Sequence, residues 1–231
     1  MQPLRIVRAR RAYRAVSIAL FCLAYPADAQ NSPTPDSAQR AAVAGDYVHS
    51  ERELVAGIRL NPDGTFQYGL TVGSLDERAQ GRWRVSGNRI EFTSDPRPVA
   101  PTITPGKTVT ATGEPFALRV LTPNGGDMPG VDLLLEFDSG EPLESYMAGH
   151  PWTLPPEEAR TPKFVTFSMP SYRLRSERLP LEARPGTITT FILTPNDFGV
   201  ADLTGTHADL QDGTLTLHRP EGSMMFKRSS E

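Results

Sequence analysis

Residues 53–93 constrain this chain more than any other stretch. Leu54, Ala56, Ile58 and Leu60 share one parity, and Val55, Gly57 and Arg59 take the other. Phe66, Tyr68, Leu70 and Val72 then alternate with Thr65, Gln67, Gly69 and Thr71. Ala79, Gly81, Trp83 and Val85 alternate with Arg78, Gln80, Arg82 and Arg84, and Ile90 and Phe92 with Arg89, Glu91 and Thr93. A period of two places successive side chains on opposite faces of a strand, so each run carries one apolar and one polar face. Asn61-Pro62-Asp63-Gly64 and Ser86-Gly87-Asn88 separate the runs with residues that supply positive or fixed φ. Short turns between adjacent strands force antiparallel neighbours, which predicts a four-stranded meander. Its apolar face has to be covered, either by closure into a barrel or by a second sheet.

A second series of alternating runs follows a proline-rich stretch. Pro96, Pro98, Pro101, Pro105 and Pro115 favour an extended linker over residues 96–114. Beyond it, Phe116, Leu118 and Val120 alternate, as do Val131, Leu133, Leu135 and Phe137, and then Val165, Phe167 and Met169. Residues 188–193 are apolar on both faces. Leu215, Leu217 and Met224-Met225-Phe226 complete the series, with a hairpin turn at Asp212-Gly213. Strands at this spacing predict a β-sandwich over residues 115–231. Residues 140–162 read as a long irregular insertion stiffened by Pro142, Pro151, Pro155 and Pro156.

The run PDGTFQYGL…LDERAQGRWRVSGNRIEF resembles the lipocalin-like meanders of small exported bacterial proteins. The run PFALRV…MPGVDLLLEFDSG is similar to the transthyretin-like fold of carboxypeptidase regulatory-like domains. The fold class expected is therefore all-β: a lipocalin-like antiparallel meander, or partial barrel, over 43–95, followed by a transthyretin/Ig-like sandwich. The second resemblance implies a noncatalytic accessory module.

The N-terminus reads as a secretory signal over residues 1–29. Arg5, Arg8, Arg10, Arg11 and Arg14 precede the apolar run AVSIALFCLA, and Ala27-Asp28-Ala29 forms a small-residue cleavage site before Gln30. The apolar run falls short of the ~20 residues that cross a bilayer, so the mature chain is expected to carry no integral membrane segment and to be periplasmic or secreted. Cys22 is the single cysteine and leaves with the signal, which excludes disulfides and thiolate chemistry from the mature chain. The same cleavage removes five arginines and one aspartate, taking the formal net charge from −3 to −7. An acidic protein is a poor binder of nucleic acid, so no such partner is expected. Residues 30–42 are polar or small and read as a flexible lead-in.

No motif carries a recognised chemistry. Gly106-Lys107-Thr108 lacks the preceding glycine of a phosphate loop, and Asp197-Phe198-Gly199 has none of the companion motifs of a kinase. His207 and Asp209 share one strand face, with His218 across a hairpin. That set reads as a solvated face, or as the metal site of a hydrolase only if it lies in a concavity. No catalytic residue, metal or cofactor is assigned. Arg78, Arg82, Arg84 and Arg89 share the polar face of the meander, suited to an anionic partner or to cross-strand pairing with Glu91. Tyr68 and Trp83 are either walls of a ligand cavity or plain core. Tyr146 and Trp152 stand in the proline-rich insertion, suited either to partner contact or to closing the sandwich. These features predict a noncatalytic binding or structural module of the envelope. Its partner would be an envelope protein or, alternatively, a small apolar ligand carried by the meander domain.

Overall fold

A computed structural model describes residues 35–229; the signal expected over 1–29 lies outside the described residues. The protein is all-β, as the alternation predicts. The meander is built from β1 (Gly45–Ser50), β2 (Leu54–Leu60), β3 (Thr65–Val72), β4 (Leu75–Ser86) and β5 (Arg89–Ser94). The turn between β2 and β3 follows from its residues. Asp63 Oδ1 accepts hydrogen bonds from the backbone N–H and hydroxyl of Thr65 at 2.9 and 2.7 Å, and Gly64 takes φ +84°. Gly81 sits where β4 leaves its pairing with β3 and takes up β5; a Cβ there would stand 2.1 Å from the Thr93 carbonyl oxygen. Only glycine admits that approach.

The chain then forms a sandwich from β6 (Thr102–Thr110), β7 (Ala117–Leu121), β8 (Pro129–Glu136), β9 (Leu143–Ala148), β10 (Trp152–Thr153), β11 (Phe164–Met169), β12 (Leu174–Arg175), β13 (Leu179–Pro180) and β14 (Thr187–Thr194). One sheet has the order β10-β7-β14-β6, and the other runs β12-β11-β8-β9 with β13 also on β11. Their inner faces share one core, in which Phe167 meets Phe191 edge to face at 4.8 Å. Last come β15 (His207–Gln211), β16 (Thr214–Arg219) and β17 (Gly222–Arg228).

Those last three strands correct the expected division. They do not belong to the sandwich. β15 pairs with β5 and β17 with β1, closing an eight-stranded antiparallel barrel in the order β1-β17-β16-β15-β5-β4-β3-β2. The sandwich is therefore inserted between two hydrogen-bonded neighbours of the barrel, not appended to it. The physical reason is edge satisfaction. A meander of β1–β5 leaves unpaired backbone on β1 and β5, and the C-terminal hairpins supply both missing partners. Leu215, Leu217 and Phe226 then join Ile58, Phe66, Trp83 and Phe92 in a single buried core.

Three further expectations change. Residues 96–114 are not only linker, since β6 pairs with β14 despite Pro105, at a sheet edge where the missing N–H costs nothing. Residues 140–162 are not irregular throughout; β9 and β10 lie there and cross from one sheet to the other. Within the expected lead-in, residues 35–42 are helical, as part of α1 (Pro35–Val43). Its alanines favour helix, Asp36 and Arg40 pair at 3.2 Å one turn apart, and Val43 is buried in the barrel core. Tyr47 fixes the helix end by donating to the Val43 carbonyl at 2.6 Å. No described helix is long and apolar enough to cross a membrane.

A chain truncated after Thr206 would lose all three closing strands. Hydrogen exchange should then show β1–β5 unprotected while the amides of β7, β8, β11 and β14 stay protected. Protected β1–β5 amides in that truncation would contradict closure from the C-terminus.

Candidate functional site: the barrel mouth

The barrel has two unlike ends. At one, α1 and the β2–β3 turn cover the core, and Trp83 is a plug: it is 4% exposed and its indole N–H donates to the Asn61 carbonyl at 3.1 Å. Trp83 packs in the barrel core and is not among the residues that line the cleft at the other end. At the other end the β3–β4 and β16–β17 turns splay around an open cleft of about 420 Å³. Leu70, Val72, Leu75, Leu217 and Met224 form its apolar wall, Tyr68 its floor, and Pro170 and Ser171 from the 3₁₀ turn Pro170–Tyr172 of the sandwich one side. The sandwich is thus part of the wall of the barrel's opening.

One polar corner interrupts this wall. Arg219 at the end of β16 reaches Glu77 on β4, with Nη1 to Oε2 at 2.7 Å and Nη2 to Oε1 at 3.3 Å. The side chains are 17% and 9% exposed. Arg219 Nη1 also donates to the Tyr68 hydroxyl at 2.9 Å, and its Nε to Glu221 at 3.2 Å. The Arg219 pKa rises: burial pulls it down, but the hydrogen bonds and charge of Glu77 outweigh that, and the guanidinium stays charged. Burial pushes the Tyr68 phenol up to about 12, against the opposing pull of Arg219. The corner is hydrogen-bonded and electrically matched, so it holds its geometry without a ligand.

Alternation singles out Tyr68 but not its partners Glu77 and Arg219. A signal was present. Glu77 has the same parity as Ala79 and Trp83 on β4, and Arg219 the same parity as Leu215 and Leu217 on β16. Two opposite charges at inward-facing positions of separate strands mark a buried pair, although nothing in sequence shows that strands 142 residues apart meet.

The arginines of the outer face divide. Arg84 pairs with Glu91 at 2.7 Å, the cross-strand reading of that face. Arg89 lies 3.8 Å from Asp209, and Arg82 stands beside Asp63. Arg78 is held by backbone: its N–H donates to the Gly199 carbonyl at 2.9 Å and its carbonyl accepts from Ala201 at 2.8 Å, sealing the part of β4 that β5 does not reach. The four do not converge on one site. In the sandwich, Trp152 is 9% exposed and donates to Ser145 Oγ at 2.8 Å, so it closes the core, whereas Tyr146 is 63% exposed.

Replacing Arg219 by Met would leave Glu77 charged and unpaired in a buried corner, and unfolding in denaturant should show a loss of about 3–5 kcal/mol. Adding Glu77→Leu should recover most of it. The phenol adds a pH dependence. Its folded pKa, about 12, lies above the ordinary value of 10, so its contribution is complete below pH 10 and is lost as pH rises through 12. Alkaline melts of the Tyr68→Phe variant should accordingly fall less steeply over that window than those of the parent. No protein-family model, curated protein or solved structure matches this chain.

Proposed function

We propose that this is an exported, noncatalytic binding module of the cell envelope that holds a small, largely apolar molecule in the barrel mouth. The cleft is the observation that carries the reading. Its volume, about 420 Å³, suits a small organic ligand, and its lining of aliphatic walls with one convergent polar group is the usual composition of such sites. The polar corner narrows the chemistry. Arg219 is already matched by Glu77 and Glu221, so an anionic ligand would have to displace an existing ion pair. An uncharged hydroxyl can donate to the Tyr68 oxygen without breaking that pair, whereas a carbonyl would compete with Glu77 Oε2, 3.5 Å away, for the phenol proton. The basic, apolar N-terminus with its Ala27-Asp28-Ala29 site supports export, and the acidic mature chain argues against nucleic acid.

Native mass spectrometry of protein isolated from the envelope fraction tests both parts. A chain beginning at Gln30 with a small molecule retained is the expected result. Ser171→Trp, which fills the cleft from the sandwich side without touching the barrel core, should release that molecule and lower uptake of a hydrophobic fluorescent dye by about tenfold or more. An apo mass together with no dye uptake by the parent protein would remove the ligand reading.

A further inference from the structure

Among the described residues, one set of imidazole and carboxylate groups converges, and it lies outside the cleft. His207 on β15 stands directly opposite His218 on β16, and Asp209 lies two residues along β15 on the same outer face. Their ligand atoms all fall within 4.8 Å of one another. We infer that His207, Asp209 and His218 form a binding site for a divalent transition-metal cation such as Zn2+ or Ni2+.

Three features carry this. The first is placement. Directly opposed residues of adjacent antiparallel strands hold their Cβ atoms roughly 5 Å apart, so two imidazoles at such a pair can meet at one point. The closed barrel fixes both strands, so the backbone positions of the three donors are set before the cation arrives. The second is the link between Asp209 and His218. His218 Nε2 lies 3.0 Å from Asp209 Oδ2, close to the separation of neighbouring ligands around a metal with bonds of about 2.1 Å. A cation about 2.1 Å from both atoms would sit beside the line that joins them and replace the proton they share, with little movement of either; His207 closes the remaining gap by side-chain rotation. The third is support behind the donors. His218 Nδ1 lies 2.8 Å from Ser223 Oγ, which fixes the ring and leaves Nε2 toward the site. Arg89 Nε lies 3.8 Å from Asp209 Oδ1, a loose ion pair at the edge of the site.

The donor set selects the class of ion. Two imidazoles and one carboxylate suit borderline metals, whereas Mg2+ and Ca2+ demand mostly oxygen ligands. Asp209 is exposed and both histidines are half-buried, so solvent fills the remaining coordination positions.

Isothermal titration of the tag-free protein with ZnCl2, NiCl2 and MgCl2 tests the site. One equivalent of Zn2+ and of Ni2+ should bind, at least about tenfold more tightly than Mg2+. His207→Ala and His218→Ala should each weaken Zn2+ by about tenfold or more. Asp209→Asn, which keeps the side-chain shape, should weaken it in the same direction and provides the test if a histidine variant fails to fold. Thermal melts should show a Zn2+-dependent rise in the parent that is absent from His207→Ala/His218→Ala. No Zn2+ binding by the parent up to millimolar metal overturns the assignment. So does an unchanged affinity in the double variant or in Asp209→Asn, which would place any bound metal elsewhere.

Discussion

Everything in this fold depends on the two free edges of the first five strands finding partners. A sheet of β1–β5 alone would present one row of unpaired amides and carbonyls at each edge and one uncovered apolar face. β15–β17 remove all three problems at once, pairing with β5 and β1 while carrying Ala208, Leu215, Leu217 and Phe226 into the core. Barrel closure and core formation are thus one event. The sandwich interrupts the chain between the two halves, yet the entropic cost of a longer closing loop grows only logarithmically with its length. A prefolded insertion shortens the effective loop further.

The same closure creates the site. The barrel's two ends differ because α1 and Trp83 occupy one, while the 3₁₀ turn of the inserted sandwich stands beside the rim of the other, with Pro170 and Ser171 facing the cleft. The cleft is the space left between them. Its charged corner is tolerable there because Arg219, Glu77 and Tyr68 satisfy one another. A lone charge at such an inward-facing position would be strongly unfavourable. The outer face obeys a different rule. There charges pair across strands in water, as Arg84 and Glu91 do, and their alignment orders the surface more than it stabilises the fold.

Much of this was legible before any coordinates. Alternation assigned Ile58, Phe66, Tyr68, Trp83 and Phe92 to one buried face, and all five are buried. The turns at Asn61–Gly64 and around Gly87 lie where glycine and asparagine placed them. Sheet membership was not legible, and the reason is physical. Periodicity reports which face of a strand is dry, not which strand lies beside it. Leu215 and Leu217 have the same local pattern whether they complete a barrel or a sandwich. Tyr68 was visible as an aromatic at an inward-facing position; its dependence on Glu77 and Arg219 was not, because that triad exists only after closure. His207, Asp209 and His218 are the intermediate case. Their spacing gave the shared face, but only the β15–β16 register put the two imidazoles opposite each other.

The pairing of β1 with β17 has a mechanical consequence. The two strands run antiparallel and their outer ends lie at the same rim, where the Ser229 N–H donates to the Asp46 carbonyl at 2.8 Å and Arg228 reaches the carbonyls of Ala42 and Ala44. Tension applied between the two termini therefore loads these hydrogen bonds in sequence, in an unzipping geometry, instead of shearing them together. A protein tethered by both ends would peel open along this seam at low force, whereas a load applied through one terminus and the sandwich would pull on a different set of strands.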